Sequence, residues 1–160
     1  MRVKSLRLPV ALVVLAALAI AVMSTSTASG QTDIHVILRA ADQHVALVDV
    51  RGDGVLRQGD RVALRGPVLD ETETEGVGRT HWDCVVQRRI SASPDSGLYQ
   101  CDAILSLEDG TIILEGLDPA GAGASAFAVV GGTGLYDNAQ GDATLTDTET
   151  ETDFLIHLAA

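Results

Sequence analysis

From Gln31 to its last residue the chain has almost no segment in which apolar residues recur at helical spacing. Short runs rich in Val, Ile, Leu and Thr recur instead, separated by Gly, Asp and Pro, which is how strands and turns read. The pattern predicts strands near Ile34–Arg39, His44–Val50, Arg61–Arg65, Gly78–Ile90, Leu98–Leu107, Thr111–Glu115, Ala126–Val130, Asp142–Thr146 and Thr152–Leu158, eight or nine in all. Gly52-Asp53-Gly54, Ser93-Pro94-Asp95-Ser96-Gly97, Glu108-Asp109-Gly110 and Gly131-Gly132-Thr133-Gly134 supply the positive φ or fixed proline φ that chain reversals need. Asp109-Gly110 gives the strongest hairpin signal, and Gly121 to Ser125 reads as an Ala/Gly loop. Many short antiparallel strands without helices make a sandwich or a closed barrel.

The residues before Gln31 follow other rules. Arg2, Lys4 and Arg7 precede an uncharged apolar block from Leu8 to Met23, and a small polar stretch from Ser24 to Gly30 follows it. These are the parts of a secretory signal peptide, and the block is short for a membrane span. Residues 1–30 are therefore expected to be a leader cut after Ala28 or Gly30, and residues 31–160 a single secreted domain with no stable membrane association after cleavage. The leader holds three of the eleven basic residues and none of the 22 acidic ones, so the domain carries a formal charge of −14, eight basic residues against 22 acidic. Such a domain is repelled by phosphate backbones and anionic lipid, so nucleic acid is excluded as a partner.

Cys84 and Cys101 are the only cysteines, and an even pair in an exported chain reads as one disulfide. In the antiparallel register that sets Cys84 against Cys101, Trp82 faces Ala103 and Val86 faces Tyr99. All six side chains then share one sheet face.

Other motifs carry less. Asp49 to Asp60 has acids at the first, fifth and twelfth positions of a calcium loop and Gly54 at the sixth, but Arg51 occupies a ligand position and strands flank it. A hairpin turn is the better reading. Gly131 to Gly134 lacks both the dinucleotide spacing and a phosphate-loop lysine, and reads as a tight turn. His35, His44, His81 and His157 have no metal-ligand spacing, so no metal is expected. Thr146 to Asp153 alternates threonine with acid. If extended, Asp147, Glu149, Glu151 and Asp153 form one row, a cation site or, better, a solvated edge, while Thr152 shares the inward face of Phe154, Ile156 and Leu158.

Several segments, in order, resemble the barrel shared by dirigent proteins and allene oxide cyclases. They are Gly59-Asp60-Arg-Val, Pro67-Val-Leu-Asp70, Val77-Gly78-Arg79, Cys84-Val85-Val86, Tyr99, Glu108-Asp-Gly110 running to Glu115-Gly116, and Val129-Val-Gly-Gly-Thr-Gly-Leu-Tyr136 ending in Ala139-Gln-Gly141. The resemblance implies an all-β, eight-stranded antiparallel barrel, often a homotrimer. It also implies an interior that takes a small, largely apolar molecule without a cofactor, as in a cofactor-independent cyclase or a dirigent-like auxiliary protein. Arg79, which follows Gly78 where the motif matches, is then a candidate polar pocket group. Trp82, Val86 and Tyr99 are candidate cavity walls, with core packing as the competing role for each.

Three functions stay open on the sequence. The barrel steers the cyclisation or coupling of a small hydrophobic molecule, carries such a molecule unchanged outside the cell, or has a filled interior and a structural role. Only five residues are aromatic, which favours an aliphatic guest or a filled interior over a large aromatic one.

Overall fold

The computed structural model describes residues 32–89, 97–120 and 123–159. The predicted leader, the predicted turn at Ser93 to Ser96, and Gly121 lie outside these residues. Nine strands follow one another: β1 (Thr32–Arg39), β2 (His44–Val48), β3 (Arg61–Asp70), β4 (Gly76–Arg89), β5 (Gly97–Leu107), β6 (Gly110–Pro119), β7 (Ala124–Gly134), β8 (Gly141–Asp147) and β9 (Glu151–Leu158). Each predicted strand is present, most of them longer than its sequence pattern suggests.

The strands form one antiparallel sheet in the order β1-β9-β8-β7-β6-β5-β4-β3-β2, and β1 also pairs with β3 through Val36–Asp70 and Ile37–Leu69. That second pairing closes eight strands into a barrel, so the choice between sandwich and barrel is settled. β2 is the ninth. A short 3-10 turn, Ala40–Asp42, interrupts the first strand, after which β2 continues along β3 from His44–Arg65 to Val48–Arg61. By then β9 has ended, with its first residue Glu151 opposite Arg39. All five residues of β2 are exposed.

Alternation fills the interior. On β5 the buried residues are Gly97, Tyr99, Cys101, Ala103 and Leu105, one at every second position. Val36, Leu38, Val68, Trp82, Ile112, Leu114, Phe127, Leu145, Phe154 and Ile156 join them from the other strands. Trp82 meets Phe127 at 5.6 Å and Phe154 at 5.3 Å, both edge to face. Three aromatics from β4, β7 and β9 thus cross the barrel interior. Cys84 and Cys101 form the predicted disulfide, with Trp82 opposite Ala103 and Val86 opposite Tyr99 as the register requires.

Three expectations need correction. Gly131 to Gly134 is not a turn but the end of β7, paired with Gly110 to Ile113 of β6. Gly132 is needed because the chain folds straight back over it: a Cβ there would overlap the carbonyl oxygens of Tyr136 and Thr111. Ala124 and Ser125, expected in a loop, belong to β7, where Ser125 is buried. Thr146 to Asp153 is not one extended row. β8 ends at Asp147, the chain turns through Thr148–Thr150, and β9 pairs back with Thr152 opposite Asp147. The Thr148 hydroxyl holds that turn, donating to the Glu151 carbonyl and accepting from the Thr150 and Glu151 N–H groups.

Candidate functional site

The end of the barrel that carries β2 holds a cavity of about 370 Å³. Its walls are Leu38, Leu47, Leu56, Val62, Leu64, Trp82, Cys84 and Leu145, with Tyr99, Asp118, Asp147 and Thr152 as the polar members. A few polar groups in a mostly apolar concavity of this size is the make-up of a small-molecule site. Trp82 stands between the cavity and the aromatic pair Phe127 and Phe154.

One wall comes from outside the eight closed strands. Leu47 lies on β2, and Leu56 on the loop from Asp49 to Asp60 that resembles a calcium site. The loop spends its carboxylates on its own backbone. Asp49 accepts from the N–H groups of Arg51, Gly52 and Gly54, and Asp53 accepts from the Val55 N–H and the Arg57 guanidinium. Asp60, almost fully buried, accepts from the N–H groups of Val50 and Arg57. These bonds hold Asp49 below the usual carboxylate range, the Gly54 N–H having the largest effect. Among the described residues no three His, Cys, Asp or Glu side chains are grouped to hold a metal ion. The loop is therefore a self-braced wall that presents Leu56 to the cavity.

The polar members arrive by strand parity. On β6 the inward positions Ile112 and Leu114 continue through Gly116 to Asp118, which sits opposite Tyr99. On β8 the inward positions Ala143 and Leu145 continue to Asp147. The Thr152 hydroxyl donates to Asp147 Oδ1 at 2.6 Å, and the Ser125 hydroxyl donates to Asp118 Oδ1 at 2.7 Å. Burial raises the Asp118 pKa above the ordinary aspartate value; the Ser125 hydrogen bond opposes the rise and the Asp147 charge adds to it. Asp118 thus keeps its proton to higher pH than a solvated aspartate does. Trp82 Nε1 is a buried donor without a hydrogen-bond partner among the described residues. An unmet buried donor costs on the order of 1–3 kcal/mol.

The raised pKa has a consequence for stability. A carboxyl whose pKa rises on folding stabilises the fold below its unfolded value, and that contribution is lost as pH climbs through the folded value. Asp118→Asn retains an acceptor for Ser125 and removes the charge beside Asp147. It is expected to raise Tm at about pH 7 and to leave it unchanged near about pH 3, where both forms are neutral. Thermal melts at the two pH values check this, and equal Tm at neutral pH would contradict it.

Of the residues predicted from sequence, Trp82 and Tyr99 line the cavity together, with Cys84 beside them. Val86 is buried in the core cluster on the same barrel face without lining the cavity. Arg79 does not join them. It has the opposite parity, is exposed, and lies in a second, more polar groove of about 740 Å³ with His35, Asp70, Glu75, Glu108, Asp109 and Tyr136, at the end where β3 hands over to β4. Asp118 and Asp147 escape the sequence pattern because it ends their strands one to four residues short. Continuing the two-residue alternation past Glu115 and Thr146 points both inward.

The chain is thus a closed antiparallel barrel with an apolar cavity at one end and a more polar groove at the other. No protein-family model matches the chain, and no curated protein matches it in sequence. Solved structures do match in fold. A pyocyanin demethylase superposes with a TM-score of 0.64 at 22% identity, over 79% of this chain and 99% of that one. A pterocarpan synthase dirigent protein gives 0.62 at 15% identity, over 86% and 96%, and the Diels-Alderase of Streptomyces koyangensis gives 0.59 at 15%, over 97% and 83%. The chain has the barrel fold of dirigent proteins and of these enzymes.

Proposed function

We propose that this protein is an exported, cofactor-free barrel that binds a small, largely apolar molecule in the cavity beside Trp82 and steers its cyclisation or coupling. The observation that carries the reading is an apolar cavity at the barrel mouth with one pKa-raised carboxyl, Asp118, on its wall. Rigid walls hold a flexible guest in the conformation that reacts, which removes much of the entropic barrier to ring closure. Below the pH at which it ionises, which burial raises, Asp118 donates a hydrogen bond to a guest oxygen that gains negative charge as the bond forms. Ring closure by rearrangement needs no other reactant. The relatedness in fold to a Diels-Alderase and a dirigent protein supports this chemistry, as the leader and the disulfide support export. Assembly as a homotrimer belongs to the same reading.

Trp82 is the chain's only tryptophan, so its emission reports directly on the cavity. Neutral apolar guests are expected to shift that emission saturably, and Leu64→Phe, which fills the cavity, to weaken binding about tenfold or more without lowering Tm. No saturable shift with any guest would end the small-molecule reading. A native mass spectrum of protein taken from its own producer shows leader removal, oligomer and retained guest in one measurement. Conversion of that guest should fail in Asp118→Ala, which has no donor, while binding persists; conversion that persists would remove Asp118 from the reaction, and no conversion by the wild type would leave a carrier.

A further inference from the structure

The charges around the cavity narrow the class of guest, given that the cavity is a binding site at all. Among the described residues its lining contains two carboxyl groups, Asp118 and Asp147, and no Lys, Arg or His. The surrounding domain has no lysine and a formal charge of −14, eight basic residues against 22 acidic, so its field repels anions and draws cations toward the mouth. Asp147 is fixed in place from the strand opposite by the Thr152 hydroxyl. A second observation lies deeper: Trp82, more than nine-tenths buried, lines the same cavity, and its buried Nε1–H has no hydrogen-bond partner among the described residues.

We propose that the cavity selects organic cations, with an apolar body against Trp82 and Leu145 and a protonated or quaternary nitrogen at the Asp147 carboxylate. Asp147 itself is exposed at the mouth, whereas Asp118, half-buried on the wall, adds a charge that less water screens. A cation there also offsets the repulsion between Asp147 and Asp118. A fatty acid or other carboxylate meets the reverse: its charge would enter a mouth that already holds two acids.

Three cage compounds of one shape separate charge from fit: 1-aminoadamantane, 1-adamantanol and 1-adamantanecarboxylate. The full chain is titrated with each at neutral pH and low salt, following Trp82 emission. The amine is expected to bind about tenfold tighter than the alcohol, with the carboxylate weakest. Asp147→Asn should bring the amine down to the alcohol's affinity, with Tm and far-ultraviolet circular dichroism confirming the fold. Glu115→Gln, an exposed acid on the outer face of β6, should leave the preference intact. If the alcohol binds as tightly as the amine, or if Asp147→Asn keeps the amine's advantage, the proposal is overturned and the apolar-guest reading stands. If none of the three binds saturably, both fall.

Discussion

Phe154→Ala is expected to lower the unfolding free energy by about 3–5 kcal/mol, the largest loss from any single side chain in this barrel. Phe154 is fully buried, meets Trp82 edge to face at 5.3 Å and sits opposite Leu145 on the neighbouring strand. Truncation removes the apolar contact and leaves a hole. In many folds a neighbouring helix slides in and recovers part of that cost. Here β9 is hydrogen-bonded to β8 on one side and β1 on the other, so the wall has little freedom to move inward. Leu155, the next residue, is partly exposed on the outer face, and Leu155→Ala should cost only about 0.5 kcal/mol. Urea unfolding of the two variants measures the contrast, and similar losses would show that the inside and outside of β9 had been misassigned.

Replacing both cysteines with alanine is expected to cost about 3 kcal/mol, the entropy regained by the unfolded chain when a loop with a sequence separation of 17 is no longer closed. The bond ties β4 to β5, whose backbones also pair from Gly78–Leu107 to Arg89–Gly97. Wild-type protein in reductant should show the same drop in urea midpoint, and the double variant should ignore reductant. A wild type indifferent to reductant would mean that the bond either does not form or contributes nothing. Because Cys84 lines the cavity, the double variant should also bind apolar guests differently, which Trp82 emission records.

Much of this barrel is legible in its amino-acid sequence. The nine strands follow from two-residue alternation, and the pairing of Cys84 with Cys101 sets the β4–β5 register down to Trp82–Ala103 and Val86–Tyr99. Where the pattern misleads, glycine is the main cause. Gly116 looks like a strand's end, yet it is a strand residue kept bare because a Cβ there would press into the Phe127 ring. Ending the strand before it removes Asp118 from view. The glycines at 131–134 mislead in the same way. Arg79 shows a different limit: a motif match names a position, whereas parity decides which side of the wall its side chain occupies. The acidic row fails for a third reason, since a turn of three residues reverses the strand and brings Asp147 inward opposite Thr152.

The pairing of β1 with β9 runs over eight residue pairs, from Thr32–Leu158 to Arg39–Glu151. The first strand made therefore has no complete set of partners until the last one exists, so the barrel cannot assemble piecemeal as the chain grows. Contacts this distant in sequence make folding slow relative to synthesis. In the exported chain proposed above, that delay would be an asset: the polypeptide would stay threadable throughout its passage and close only once β9 had crossed.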